Sequence, residues 1–555
     1  MSTALKTEPK PEEKEVDNEF AKVLEEHLRA GYQMMYVQTP EEARVESEIG
    51  RVVKAMGQKF TGMVTWDCFE GFSGPEGLKD DPKLKNPLMA LEAIIDDKRL
   101  PKDDKAGNFV FVFRDIDDYM QDPNFRRRLK TLAEGNRLVN RNRARPIIIV
   151  SPSLNIHAKL RSSITVVDFA LPSEAKLARQ IEFVRQSVES KDPERAKVTP
   201  ALAALLATNL LGLTSTEAEN CLSRCLVRHA GFKDEMLSTI KDEKAAIVKK
   251  SEVLTYIPED SCRSRADIGG YDLFMNWLDR RKLAYSPEAR LHNLDYPKGV
   301  VLLGLPGTGK SMVAKAACML LGLPGYILDV GALFGSLVGE SEQRTRDVLK
   351  QIDAQKGCVL LIDEADKALG NAHSSTGDSG VTRRVFGTIL TWLAENNSRT
   401  FCIMTLNRTE GLPPELTRAG RFDAMFYTDL PNDAERRQIM EIHMRRRGVD
   451  PTNLTIGDAE WAELVKKTLG FVGAELEEVV REARYMAFER SQQGVPDFGA
   501  MMEAASAIVP MTVRDPEGMQ AIRDFCKDKA RPVTSPVKTK VVAGGRANRV
   551  VDVNG

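Results

Sequence analysis

The residues best equipped for chemistry are the octapeptide Gly304 to Ser311, GLPGTGKS, which follows the apolar run GVVLL and precedes MVAKAACML. This is a GxxxxGK[ST] spacing between a strand and a helix. Its glycines let the backbone bend tightly, so that successive N–H groups and the start of the following helix converge on phosphate. Gly304, Pro306, Gly307, Thr308, Gly309, Lys310, Ser311 and Met312 are therefore candidate nucleotide contacts. Lys310 would neutralise the β and γ phosphates of ATP, and the Ser311 hydroxyl would ligate Mg2+. The plainer reading is a glycine-rich turn with no ligand. Further along, CVLLIDEAD ends an apolar strand in two acids. Asp363 would hold the magnesium ion and Glu364 would orient and polarise the attacking water; a solvated strand end is the alternative. The next such strand, FCIMTLNR, ends at Asn407, whose amide suits either the lytic water or a turn. In LPPELTRAGRFD, Arg418 and Arg421 lie three apart. Guanidiniums so placed stabilise phosphoryl-transfer charge when supplied across a subunit boundary, or else make surface ion pairs.

The elements that must carry these residues recur twice. Short apolar strands alternate with amphipathic helices, the pattern of a parallel sheet covered on both faces. The first set has strands predicted at 34–37, 62–66, 108–113, 146–150 and 165–169, followed by helices from about 173 to 250. The second has strands at 299–303, 325–328, 358–362 and 400–405, followed by helices from about 433 to 530. Residues 1–20 read as a disordered lead and 531–555 as a disordered basic tail, with five basic residues against one Asp.

Bulk properties narrow the classes. At 555 residues and 42% hydrophobic content the chain is too long for one core and apolar enough to fold as several. Lys plus Arg, 79, nearly cancel Asp plus Glu, 80, so no global field holds the protein on nucleic acid or an anionic membrane. Eight cysteines lack CxxC spacing, which fits reduced thiols; Cys221 and Cys225 share a helix face and read as core packing, with no metal assigned. No export signal or membrane-length apolar run is seen, so a cytoplasmic or equivalent soluble location is expected.

The strings DIGGYDLFMNWLDRR, GLPGTGKS, LVGESEQRTRDVL, LLIDEADK, TLNR, LTRAGRFD and GFVGAELEEVVREA occur in the order seen in AAA+ ATPases. More narrowly, GALFGSLVGESE, SSTGDSGVTRRVFGTILTWL and IVPMT followed by AIRDFCKDKARP resemble the AAA ATPases encoded in algal plastids and cyanobacteria and found in other bacteria and phages. AGYQMMYVQTPEEARV, NPLMALEAII and FVFVFRDIDDY are similar to that family's N-terminal region. The resemblance implies a P-loop AAA+ module, an α/β fold with a parallel sheet, helices on both faces and a helical lid. A degenerate ATPase-like α/β domain with its own helical segment precedes it. The expected boundaries are a degenerate RecA-like domain at 21–172, a helical subdomain at 173–250, the large ATPase subdomain at 251–432 and the lid at 433–530. The resemblance also implies adenine-pocket roles for Asp267, Ile268 and Gly269, a lid contact at Gly473 and Ala474, a sensor at Asn407 and paired arginine fingers at Arg418 and Arg421. Fingers supplied in trans imply a homo-oligomeric ring, most often a hexamer. A phage-encoded protein working in a bacterial host is compatible with it.

Leu337, Val338 and Gly339 match the central-pore positions, where related translocases present an aromatic residue; an aliphatic side chain grips a threaded chain less well. Packing against a neighbouring helix is the alternative. The N-terminal TPEEARVE has neither the glycines nor the lysine needed for phosphate, although Asp115 and Asp117 stand near the expected magnesium position. A noncatalytic domain that docks a protein client is the resulting expectation. Coupled to ATP hydrolysis, this points to remodelling of a protein complex. A nucleic-acid motor or loader, motivated by the tail and by the basic run 126–145, and an ATP-gated scaffold are the alternatives.

Overall fold

Phe109 to Phe113 and Ile147 to Val150 are apolar at every position, which strands satisfy only when both faces of their sheet are covered. The computed structural model describes residues 11–535 apart from 75–77, 80, 96–107, 140–144, 250–252, 259–260, 262–263, 335–339, 356, 371–378, 396–397, 410–411, 419, 455, 492–493 and 528. The chain divides into two units, Met1–Lys244 and Ala245–Gly555.

The first unit holds β1 (Met34–Gln38), β2 (Gly62–Asp67), β3 (Gly71–Phe72), β4 (Phe109–Arg114), β5 (Ile147–Ser151) and β6 (Thr165–Val166). They pair in the order β3-β2-β4-β5-β1-β6, parallel except for β2 with β3. Alternate side chains go to opposite cores. Tyr36, Phe111, Phe113, Ile147 and Ile149 enter one, and Met35, Val37, Val110, Val112, Ile148 and Val150 enter the other. After the sheet come helices at Glu174–Glu189, Pro200–Leu210, Ser215–His229 and Met236–Lys249. Ser173 and Thr199 cap the first two, and Thr214 with Glu217 closes a reciprocal capping box on the third.

The second unit repeats the plan. Its strands are β7 (Leu254–Ile257), β8 (Gly299–Gly304), β9 (Gly325–Leu328), β10 (Val359–Ile362), β11 (Phe401–Leu406), β12 (Ala424–Thr428) and β13 (Arg531–Pro532). The order is β13-β12-β8-β11-β10-β9-β7, parallel except for β7 with β9. The strand that feeds the phosphate-loop position, β8, lies between β12 and β11, just as β1 lies between β6 and β5. Both sheets therefore have their switch point at the same strand, where the crevice beyond the strand ends receives ligands in such folds. Helices Asp433–Arg446, Asp458–Lys467, Gly473–Ser491 and Phe498–Ala507 form a lid around Met440, Leu464, Leu476, Val480 and Met501.

Three expectations are corrected. Residues 11–20 form the first half of a helix, Pro11–Ala30, because Phe20, Leu24 and Leu28 recur at helical spacing and are buried in the core. The helix Pro516–Cys526, expected in the lid, instead places Ile522 and Cys526 in the core beneath β8, β10 and β11. Residues 531–535, expected in the tail, add β13 to the edge of β12 and bury Val533. The short strands β3, β7, β12 and β13 were absent from the predicted set. Each has two to five residues and gains its place from a neighbouring strand rather than from its own pattern.

Phe113, wholly buried, packs against Trp66 at 5.1 Å and Phe72 at 5.9 Å between ring centroids. Phe113→Ala should cost about 3–5 kcal/mol in the first unit's unfolding transition, followed by denaturant titration. A loss under about 1 kcal/mol would mean that this aromatic layer does not hold the sheet.

Candidate functional site

β8 ends at Gly304, and five residues, Leu305 to Gly309, lead to a helix that starts at Lys310. Gly307 and Gly309 have φ of 80° and 92°, a region that L residues avoid. At Gly307 a side chain would also stand 3.0 Å from the Ala474 Cβ, so the lid can close on the loop only over bare backbone. The Ala474 N–H donates to the Gly307 carbonyl at 2.9 Å, which seats the start of the helix Gly473–Ser491 on the loop.

Lys310 is buried, and its Nζ donates to the carbonyls of Gly304 at 2.7 Å and Leu305 at 2.8 Å. Burial lowers its pKa to about 8, against the opposing pull of Asp366, Asp363 and Glu364. Beside it the Ser311 hydroxyl donates to Asp363 Oδ1 at 2.8 Å, and the Thr405 hydroxyl donates to the same oxygen at 2.5 Å. Glu364 takes a left-handed φ of 50°, held by its N–H donating to Thr405 Oγ1 at 2.8 Å. That backbone turn aims the two neighbouring carboxylates differently. Asp363 faces Ser311, whereas Glu364 Oε1 accepts from Asn407 Nδ2 at 3.3 Å and its other oxygen pairs with Lys367. Asn407 is itself anchored by its N–H to Asp366 Oδ1 at 3.0 Å.

These groups line one cavity of about 280 Å³. It gathers Asp267, Gly269, Pro306, Gly307, Thr308, Gly309, Lys310, Ser311, Met312, Asp363, Glu364, Asn407, Gly473 and Ala474. Ile268 is buried in the core, between two cavity residues. Gly304 contributes its carbonyl to Lys310 from the strand end. Arg418 and Arg421 lie outside the cavity. Arg418 is exposed, and Arg421 Nη1 donates to the Glu415 carbonyl at 2.8 Å. Leu337, Val338 and Gly339 fall outside the described residues.

Sequence reasoning missed Tyr271, Thr405, Ile439, Ile442, His443, Arg446 and Glu477, which also line the cavity. A signal existed for most of them. Residues 439, 442, 443 and 446 share one face of the helix Asp433–Arg446, and Thr405 lies two residues before Asn407 on β11. Burial pushes His443 down to about 4, so it is neutral at physiological pH, and Arg446 Nη2 donates to the Asp267 carbonyl at 2.6 Å.

The corresponding place in the first unit carries the opposite charges. Only Thr39, Pro40 and Glu41 separate β1 from its helix, which starts at Glu42 where the second unit has Lys310. Asp115, with φ of 50°, occupies the left-handed turn of Glu364, so Arg114 stands where the second unit has Asp363. Arg114 is bidentate to Glu46 at 2.7 and 2.8 Å, and reaches Asp67 at 3.2 Å and Glu42 at 3.6 Å. This corrects the expectation for Asp115 and Asp117, because the position that matches Asp363 holds a cation. Asp117 is buried and accepts from Ser153 Oγ at 3.3 Å.

Comparison with known proteins finds family matches for both halves. The profile of the ATPase family associated with various cellular activities (AAA) matches residues 300–430, and that of the AAA+ lid domain matches 458–497. The SpoVK-like AAA ATPase N-terminal domain matches 20–169 and the second domain of the same group matches 178–251. The uncharacterized AAA domain-containing protein ycf46 of Guillardia theta is 31% identical over 514 residues, 92% of this chain and 96% of that one. Its counterpart in Trieres chinensis is 33% identical over 470 residues, 85% and 89% of the two chains. The ATP-dependent zinc metalloprotease FtsH of Burkholderia pseudomallei is 32% identical over 267 residues, only 46% and 39%.

The lowered pKa of Lys310 sets a pH dependence. Between about pH 8 and the ordinary lysine value the unfolded chain holds more protons than the folded one, so stability without nucleotide should rise with pH across that window. An anion beside Lys310 raises its pKa again. Affinity for ATP should therefore be flat below about pH 8 and fall above it, by up to about tenfold per unit, in titration calorimetry. An affinity unchanged from pH 7 to 10 would separate Lys310 from the bound phosphates.

Proposed function

This chain belongs to the AAA ATPases, in the family of the ycf46 AAA domain-containing proteins, and from that premise we propose that it couples ATP hydrolysis in the second unit to the remodelling of a protein complex. The observation that supports this reading most is the convergence of Lys310, the Ser311–Asp363 pair and the Glu364–Asn407 pair on one cavity closed by the lid.

ATP plus water gives ADP and phosphate. Lys310 neutralises the β and γ phosphates while the amides of residues 307–312 hold them in place. Glu364 orients and polarises the attacking water, with Asn407 fixing the carboxylate. Ser311 and Asp363 present hard oxygen donors side by side, a set that fits Mg2+. Among the described residues no cluster of three or more His, Cys, Asp or Glu could cage an ion, so phosphate and water would complete its shell. When bound, the ion would offset charge on the phosphate oxygens. Asp267, Ile268, Gly269, Gly473 and Ala474 enclose the base and ribose.

Arg418 and Arg421, outside their own chain's cavity, serve the site of a neighbouring copy, which makes the working form a homo-oligomeric ring, most simply a hexamer. The first unit has an acid and an arginine in place of lysine and aspartate, and serves as the noncatalytic docking platform for a protein client. Nucleic acid is the less favoured partner: in the basic helix Pro123–Val139, Arg126 is taken up by the carbonyls of Met120 and Gln121 and Arg128 by Glu92. Among the described residues no helix is long and apolar enough to cross a membrane, in keeping with work in the cytoplasm or an equivalent compartment.

Lys310→Ala should abolish measurable ATP binding. Glu364→Gln should keep binding and lower turnover by about 100-fold or more, and Arg418→Ala should lower turnover on the order of 1000-fold without weakening nucleotide binding. ATP turnover that survives both Lys310→Ala and Glu364→Gln would sink the site. Capture of a client by Glu364→Gln protein in ATP supports remodelling, whereas full biological activity of that assembled variant would favour an ATP-gated scaffold.

A further inference from the structure

Phe401, Ile403 and Thr405 share one face of β11, since strand side chains alternate. The first two enter the core that also takes Val313, Ala314 and Ala317 from the helix after the phosphate loop. Thr405 continues that row as a buried hydroxyl, which costs free energy unless it is hydrogen-bonded. This one is used on both sides. It donates to Asp363 Oδ1 at 2.5 Å and accepts from the Glu364 N–H at 2.8 Å. A single oxygen thus holds the side chain of one acid and the backbone of the next.

The first unit shows that the turn itself needs no hydroxyl. β4 and β5 pair Arg114 with Val150, and β10 and β11 pair Ile362 with Met404, a register that sets Asp363 opposite Thr405 when extended by one residue. Val150 therefore stands where the second unit has Thr405. Asp115 has the same φ of 50° as Glu364, yet its N–H donates to the Val150 carbonyl at 3.0 Å. A backbone acceptor suffices for the left-handed turn. What the valine lacks is a donor, and its neighbour Arg114 offers no acceptor to receive one, whereas Asp363 does.

We propose that Thr405 is a positioning residue for ATP hydrolysis, its hydroxyl locking the Asp363 carboxylate to the backbone turn that aims Glu364. Ser311 binds the same Asp363 oxygen at 2.8 Å from the phosphate-loop side, and Thr405 fixes it from the adjacent strand. Removing the Thr405 hydroxyl leaves Asp363 held from the loop side and takes the side-chain anchor from Glu364. ATP is gripped elsewhere, by Lys310 and the loop amides, so the loss falls on turnover and spares binding. The role deepens the ATPase reading made above and rests on it.

The test measures steady-state ATP turnover by the full chain with saturating Mg2+, for wild type, Thr405→Val, Thr405→Ser and Thr405→Ala, at a temperature below the thermal unfolding of each. Thr405→Val keeps the shape of the side chain; kcat should fall about ten- to hundredfold while KM for ATP stays within about twofold. Thr405→Ser keeps the hydroxyl and should bring kcat back to within about threefold of wild type. Thr405→Ala carries the same expectation as Thr405→Val and stands in for it if the valine protein does not fold. Wild-type kcat in the hydroxyl-free variant overturns the proposal. So does a KM that rises while kcat holds, or a Thr405→Ser protein as slow as Thr405→Val. If neither Thr405→Val nor Thr405→Ala folds, the hydroxyl belongs to the fold and the proposal fails. Wild type that turns over no ATP refutes the ATPase reading itself, a separate outcome.

Discussion

The second unit is organised around an ammonium group buried, among the described residues, without a carboxylate in direct contact. Lys310 rests on two backbone carbonyls at the end of β8, and the acids that pull on it, Asp366, Asp363 and Glu364, are committed elsewhere by Asn407, Ser311, Thr405 and Lys367. A cation so placed costs free energy that an arriving anion restores. Folding of the sheet supplies what that arrangement requires. Two apolar faces hold the strand ends rigid, and the turn at Glu364 separates the acids into one that faces Ser311 and one that faces Asn407.

Much of this was legible in the sequence because the decisive signals are local. A glycine and lysine spacing after an apolar strand, two acids ending another strand and an Asn ending a third each state their own position. The fully buried strands read as continuous apolar runs, and the recurrence of sheet then helices was visible without any detailed alignment of the halves. What escaped depends on partners distant in sequence. His443 and Arg446 reach the cavity only because the lid folds back, and Thr405 matters only because Asp363 follows the adjacent strand. The pair Arg531–Pro532 is a strand only because β12 offers it an open edge. The misread helix at Pro516–Cys526 shows the same limit: its amphipathic pattern announces a buried face but not which core receives it.

The two sheets also show how much of such a site is scaffold and how much is chemistry. The order of the central strands, the switch point and even the left-handed residue that follows β4 and β10 are common to both, with φ of 50° at Asp115 and at Glu364. Around that shared centre the units differ in their edge strands, in loop length and in the sign of a few side chains. One frame therefore carries two different sets of charges at its switch point.

The charges at the first unit's switch point resist conversion one residue at a time. With Arg114 clasped by Glu46, Asp67 and Glu42, changing the arginine to an acid alone would bring four carboxylates together, and adding a lysine at 42 alone would set it against the arginine. Each single substitution is opposed by repulsion, and the glycines at 307 and 309 have no counterpart among Thr39, Pro40 and Glu41. The ion pairs of Arg114 thus hold the first unit's switch point in a charge pattern unlike that of the second.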